Sequence, residues 1–249
     1  MRILLIDVET APSLAYVWGL WEQNVGLNQL LAPSYMLCWS AKWLDGKEVF
    51  FSSKFSAKNR KAMLEPLHKL LDEADAVIHY NGTRFDIPHI NREFILQGMT
   101  PPSPYREMDL LQTIKKTFKF VSNKLQHVSE ELGIGSKIKH SGFELWVGCI
   151  ENDEKSWELM QEYNIQDVLL LEKLYYKLQP WIKRHINYSM YEEDKLVCPH
   201  CGGNKCVKRG FTYTLASKFQ RYRCTTCGTW FKDNKRLNSK EYKTSEVSL

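Results

Sequence analysis

Residues 2–8, Arg-Ile-Leu-Leu-Ile-Asp-Val, open the chain with a near-continuous apolar run. A run this short, apolar at successive positions, predicts a strand covered on both faces. Residues 35–44 and 47–53 predict two further strands, and the Asp45-Gly46 pair between them is a hairpin signal. Over 57–73, apolar residues at 63, 64, 67, 70 and 71 fall on one stripe at helical spacing. Residues 76–80 predict another strand. Asn81-Gly82 then turns the chain into a helix running to about Gln97, which Gly98 and Pro101-Pro102 end. Short helices are predicted over 109–117, 123–132 and 143–150, and a long one over 153–178, stopped at Pro180. A hairpin followed by alternating strands and helices implies an α/β fold, a mixed sheet flanked by helices.

Composition narrows the class. The 249 residues are 43% hydrophobic and 25% charged, which excludes a wholly disordered or fibrous chain. No apolar run approaches the roughly 18–20 residues of a membrane span, so no membrane partner is expected. The first apolar run meets Asp7 too early for a signal-peptide core, and a cytoplasmic protein is expected. Charge is divided along the chain. Residues 1–194 carry 22 Lys/Arg against 26 Asp/Glu, whereas residues 195–240 carry 11 Lys/Arg against Asp233 alone. So basic a module attracts polyanions, nucleic acid first among them. The expected organisation is a main domain over 1–180, a connector over 181–195, a small basic module over 196–232 and a polar tail over 233–249.

Three acids stand where apolar residues are expected. Asp7 interrupts the first strand, and Glu9, two residues on, leaves the sheet from the same face. Two like charges so close are costly unless a cation lies between them. Asp86 follows a strand at the opening of a helix, in His79-Tyr80-Asn81-Gly82-Thr83-Arg84-Phe85-Asp86. Asp167 sits in the long helix among Ile165, Val168, Leu169 and Leu171, with Tyr163 four residues earlier on the same face. Each acid alone has a plain structural alternative: a strand end, a helix N-terminus, a surface Tyr–Asp pair.

Together, in this order, the three strings resemble the motifs of the DEDD exonucleases of the ribonuclease H-like superfamily, a group that includes polymerase proofreading domains. The tyrosine places the resemblance with the tyrosine subgroup. It covers roughly residues 1–180. It implies a ribonuclease H-like sheet of strand order 3-2-1-4-5, 3′→5′ exonuclease activity, and two Mg²⁺ or Mn²⁺ ions held by Asp7, Glu9, Asp86 and Asp167. It also implies substrate contacts from Thr10, Asn81 and Phe85. Two hard cations roughly 3.5–4 Å apart supply a nucleophile at neutral pH and hold the departing oxygen. Tyr163, whose phenol is a poor base at pH 7, would position the attacking water. Asp109 reads as a helix N-cap, and His79, His89 and His140 as structural or solvent-facing. Tyr16, Trp18 and Trp21 lie in an unassigned segment, with base stacking and core packing both open.

Cys198-Pro-His-Cys201 and Cys224-Thr-Thr-Cys227 are two knuckles separated by 22 residues. Four thiolates at this spacing make a structural zinc site. About 40 residues bury too little core to fold alone, so the metal is the staple. Cys206 and His200 are weaker ligand candidates. The surrounding string resembles the zinc ribbons attached to transposases and other DNA-binding proteins, implying a nucleic-acid grip through Lys208, Arg209, Arg221 and Arg223. The expected function is a metal-dependent 3′→5′ exonuclease acting on nucleic acid, DNA favoured over RNA. The alternatives are a structure-specific nuclease or ribonuclease on the same fold, and a non-catalytic DNA-binding adaptor.

Overall fold

The structure, a computed structural model, describes residues 1–139, 141–183, 185–191 and 196–237. It divides into a unit of Arg2–Tyr175 and a C-terminal unit beginning at Tyr176. In the first unit, β1 (Ile3–Thr10), β2 (Met36–Trp43), β3 (Val49–Ser53), β4 (Ala76–His79) and β5 (Arg106–Asp109) form one sheet. Its order is β3-β2-β1-β4-β5, the expected 3-2-1-4-5. β1 runs antiparallel to β2 and parallel to β4. The helices are α1 (Arg60–Asp72), α2 (Asp86–Leu96), α3 (Leu110–Thr117), α4 (Leu125–Glu131), α5 (Phe143–Ile150) and α6 (Glu154–Leu178).

The apolar run of β1 reflects cover on both faces. Leu4, Ile6 and Val8 enter a core with Trp39 of β2, Met63, Leu64 and Leu67 of α1, and Ile90 and Phe94 of α2. On the other side Cys38 packs with Leu145 and Cys149 of α5 and Trp157 and Met160 of α6. Each such buried side chain contributes roughly 1.5–3 kcal/mol. α1 starts three residues after its predicted start because Asn59 caps it, accepting from the Ala62 N–H at 2.9 Å. β5 was not predicted. Its sequence is Arg-Glu-Met-Asp, and only Met108 is buried. Asp109 ends it and caps α3 through the Leu111 N–H at 3.0 Å, matching the N-cap reading.

The C-terminal unit carries β6 (Cys206–Tyr213), β7 (Lys218–Cys224) and β8 (Trp230–Arg236), an antiparallel sheet with β7 central. β8 runs past the expected border at 232 to Arg236. Part of the expected connector holds the first knuckle: the Tyr188 N–H donates to the Pro199 carbonyl at 2.9 Å. Just before the connector, Gln179 Nε2 donates to the His200 carbonyl at 2.7 Å. His140, residues 192–195 of the connector and the tail beyond 237 lie outside the described residues. Among the described residues no helix is long and apolar enough to cross a membrane.

Candidate active site and metal centre

Asp7 and Glu9 leave β1 on the face that carries α6, opposite Ser40 and Cys38 of β2. The pairing shifts register between Glu9 and Thr10, ending the strand beside the acids. From α6, Asp167 reaches the same point. One oxygen from each of Asp7, Glu9 and Asp167 lies within 4.8 Å of the others. Asp86 stands apart from this trio. It is buried, and its Oδ1 accepts from the Val8 N–H at 3.0 Å, so one oxygen is committed to the strand. Its charge still acts on Asp7 and Glu9.

Crowding shows in the acid strengths. Burial, then Asp167, Asp86 and Glu9, push the Asp7 carboxyl well above the usual range. Burial raises Glu9 to about 8, against the pull of Lys137. Burial raises Asp86 to about 6, with His79 and the Val8 N–H opposing. Each carboxylate is held off its charged form by missing solvent and like neighbours. A hard divalent cation relieves both penalties, and an all-oxygen donor set suits one. The residues present therefore fit a divalent ion.

Three side chains that sequence reasoning missed build the surroundings. Lys137, from the segment before α5, donates to Tyr163 Oη at 2.8 Å and pairs with Asp167 Oδ2. Burial lowers the basicity of Lys137, but Asp167 and Tyr163 outweigh it and hold the ammonium charged. Burial and Asp167 push the Tyr163 phenol above its ordinary value. Asn164, fully buried on α6, donates from Nδ2 to Asp7 Oδ2 at 2.6 Å. Ser40 donates to Asn164 Oδ1 at 2.7 Å and fixes which way the amide points. Trp146 of α5 hydrogen-bonds Glu9 and meets the Tyr163 ring edge-on at 6.1 Å. Asn164 carried a signal, since Met160 and Val168 four residues either side are apolar and buried. Lys137 carried none, because only the tertiary fold brings its loop to α6.

The expected substrate residues divide. Thr10 and Phe85 line a cleft beside the acids together with Trp146. Asn81 has a left-handed backbone (φ 70°), and its N–H is held by Asp109 at 3.0 Å. Its visible part in the site is to shape the turn that delivers Asp86.

In the C-terminal unit the Sγ atoms of Cys198, Cys201, Cys224 and Cys227 all lie within 4.8 Å of one another. Cys198 and Cys227 are 3.6 Å apart, and Cys201 and Cys224 are 3.7 Å apart. The two knuckles repeat one turn: the Gly202 N–H donates to the Cys198 carbonyl, and the Gly228 N–H to that of Cys224. Both glycines have positive φ, which a side chain would strain. Burial pushes the Cys201 thiol to about 12. Burial also raises Cys224, but the backbone N–H groups of Cys227 and Thr226 bring it down to about 7, where a thiolate forms readily. Cys206 and His200 fall outside the set of four. Four soft donors at a common centre suit zinc. On β7, Arg221 and Arg223 share a face, and both guanidinium groups lie over Trp230 at 5.1 and 5.8 Å. Lys208 pairs with Tyr222 and so falls on the other face. Arg209 lies beside a register shift on β6, its carbonyl accepting from Arg221 Nε at 2.9 Å.

The family model of the RNase_H superfamily matches residues 26–179, and the chain belongs to that superfamily. No curated protein sequence matches it. Among solved structures, a family B DNA polymerase from the hyperthermophilic archaeon Pyrobaculum calidifontis is similar at 18% identity and a TM-score of 0.52. That match covers 72% of this chain and 24% of the polymerase. The chain thus spans about a quarter of the polymerase's length, and the likeness is one of fold.

Proposed function

We propose that the protein is a metal-dependent 3′→5′ exonuclease acting on nucleic acid, with DNA favoured over RNA. The observation that carries this reading is the convergence of Asp7, Glu9 and Asp167 beside Tyr163 in an RNase H-like fold. The likeness to a DNA polymerase supports DNA as substrate. Asp7, Glu9, Asp86 and Asp167 would hold two Mg²⁺ or Mn²⁺ ions. Bound there, such ions would lower the pKa of a water and stabilise the leaving oxygen. The chain's own residues do the rest. Asn164 aims Asp7, and the Trp146 indole steadies Glu9. Tyr163 keeps its proton at neutral pH, because its phenol titrates above the ordinary value. It therefore serves as a hydrogen-bonding group that positions water or a phosphate oxygen, not as the base. The Lys137 ammonium sets the phenol's orientation and adds fixed positive charge where phosphoryl charge develops. In the C-terminal unit the four cysteines would bind one structural zinc, and Arg221, Arg223 and Trp230 would grip nucleic acid.

The test is cleavage of single-stranded DNA, duplex DNA and RNA labelled at either end, in Mg²⁺ and in Mn²⁺. Stepwise release of mononucleotides from the 3′ end of DNA is expected. Internal cuts, or no hydrolysis with either ion, would overturn the reading.

A further inference from the structure

Between β1 and β2 the chain makes an excursion that the acids do not use. Its root is pinned: the Ala11 N–H donates to the Tyr35 carbonyl at 2.8 Å, and the Ser34 N–H to Ser13 Oγ at 3.0 Å. Leu14–Ala15 then pairs antiparallel with Leu30–Ala32. The Tyr16 N–H donates to the Gln29 carbonyl, and Gln29 Nε2 donates back to the Tyr16 carbonyl, both at 3.0 Å. Gln29 Oε1 also accepts from the Gly26 N–H at 2.8 Å. One glutamine thus ties the two arms together and fixes the turn at 26–29. What this ordered hairpin displays is apolar. Trp18 is 98% exposed, Leu27 91%, Leu20 86% and Trp21 84%. Core packing of these aromatics, one of the two sequence readings, is excluded.

Large apolar groups held in water mark a surface with an occupant. Charge selects which. Residues 10–41 contain Glu22 and no other charged side chain. The hairpin offers no cation to a phosphate backbone, which is most of what a duplex presents. Unpaired bases present neutral π-faces, and tryptophan and tyrosine stack on them. Position selects the same occupant. The root residues Thr10, Pro12 and Ser34 line the cleft of about 590 Å³ that Phe85 and Trp146 wall, and Trp146 bonds Glu9. The cleft therefore joins the root of the hairpin to Trp146, the side chain that bonds Glu9.

We infer that residues 14–32 form a base-stacking arm, in which Trp18 and Trp21 hold unpaired nucleic acid in preference to duplex. The inference rests on the nuclease reading only for its account of where the strand's end goes. Since the arm carries no cation, its contribution releases no counterions and is insensitive to salt.

The experiment measures binding of a fluorescein-labelled 12-mer oligo(dT), and of a blunt duplex of equal length, by anisotropy. Full-length Asp167→Asn protein serves as background, so that cleavage does not intrude. Adding Trp18→Ala with Trp21→Ala is expected to weaken single-strand binding at least 10-fold, by the same factor at 50 and 300 mM salt. Duplex binding should stay within about 2-fold. Trp18→Phe with Trp21→Phe should recover most of the loss, since a ring remains to stack on. Equal losses for both substrates, or no loss for either, would overturn the arm. So would a wild-type dimer in sedimentation that the alanine pair converts to monomer, because a second copy would then be the occupant. The two readings fail separately. If wild-type protein cuts nothing yet binds oligo(dT) through the two tryptophans, the nuclease reading falls and the arm stands. If it cuts single strands and the alanine pair binds them normally, the arm alone falls.

Discussion

The carboxylate cluster and the cysteine cluster solve the same problem, like groups forced together, by opposite means. Asp7 and Glu9 stand on a strand at the heart of a five-stranded sheet, and Asp167 on a 25-residue helix. Packed side chains on both faces of β1 hold them in place, and the cost of burial and of like neighbours appears in the raised pKa values of Asp7 and Glu9. The cysteines stand on two turns in a unit whose described ribbon buries little beyond Val197, Cys198, Tyr222, Cys224 and Thr229. There the clustered groups are the core. A cation at the carboxylates would add chemistry to a sheet whose core is built from other residues; a cation at the thiols would itself be a condition of folding.

Removing the zinc proposed for the cysteines is the harshest way to break this comparison. Zinc-finger sites bind with apparent free energies of roughly 10–16 kcal/mol, which is folding free energy. Cys224→Ser, or chelation, should abolish amide protection across Lys218–Cys224 in hydrogen exchange while β1 and β2 keep theirs. Retained protection in β7 would show that the ribbon folds without its metal.

Substitution at the carboxylates should do the reverse. Asp7→Asn is expected to lower turnover about 10³-fold or more, the loss of several kcal/mol of transition-state stabilisation. The melting temperature in magnesium-free buffer should hold or rise as repulsion is relieved. A variant that cleaves at near wild-type rates, or melts several degrees lower, contradicts the division.

A smaller effect separates ligand from positioner. Tyr163→Phe should reduce turnover about 10²-fold by misaligning the nucleophile, with Mn²⁺ affinity unchanged in calorimetry. Lys137→Met should resemble it in rate, since Lys137 orients the same phenol. A parallel loss of metal affinity in Tyr163→Phe would move the phenol into the ligand set.

The mildest test is pH. Glu9 is raised from 4.5 to about 8 in the folded protein, so the folded state keeps a proton that the unfolded chain releases between those values. The resulting stability is full below about pH 4.5 and is lost as pH rises toward 8. In magnesium-free, zinc-replete buffer the melting temperature should fall by a few degrees from pH 5 to 8, and Glu9→Gln should flatten the fall. Added Mg²⁺ should reverse the slope, because the cation favours the charged form.

The sequence disclosed elements whose environment imposes a pattern. β1 is apolar at successive positions because helices cover both faces, and α1 shows its stripe because only one face is buried. β5 escaped because an edge strand with one buried residue needs no pattern. Asp7 and Asp167 stood out because an acid in an apolar run is costly. Asn164 obeyed the same rule and went unread, whereas Lys137 reaches the site through a loop that has no period. The hairpin at 14–32 stayed open because exposed and buried aromatics look alike in one dimension.

The supports around the acids have a shared property. Asn164 is a neutral amide whose orientation Ser40 fixes, Trp146 offers an indole N–H, and Lys137 is held charged by Asp167 and Tyr163. None of the three changes protonation between pH 6 and 9. These three supports are therefore silent across that range. A rate profile recorded there would carry no contribution from them.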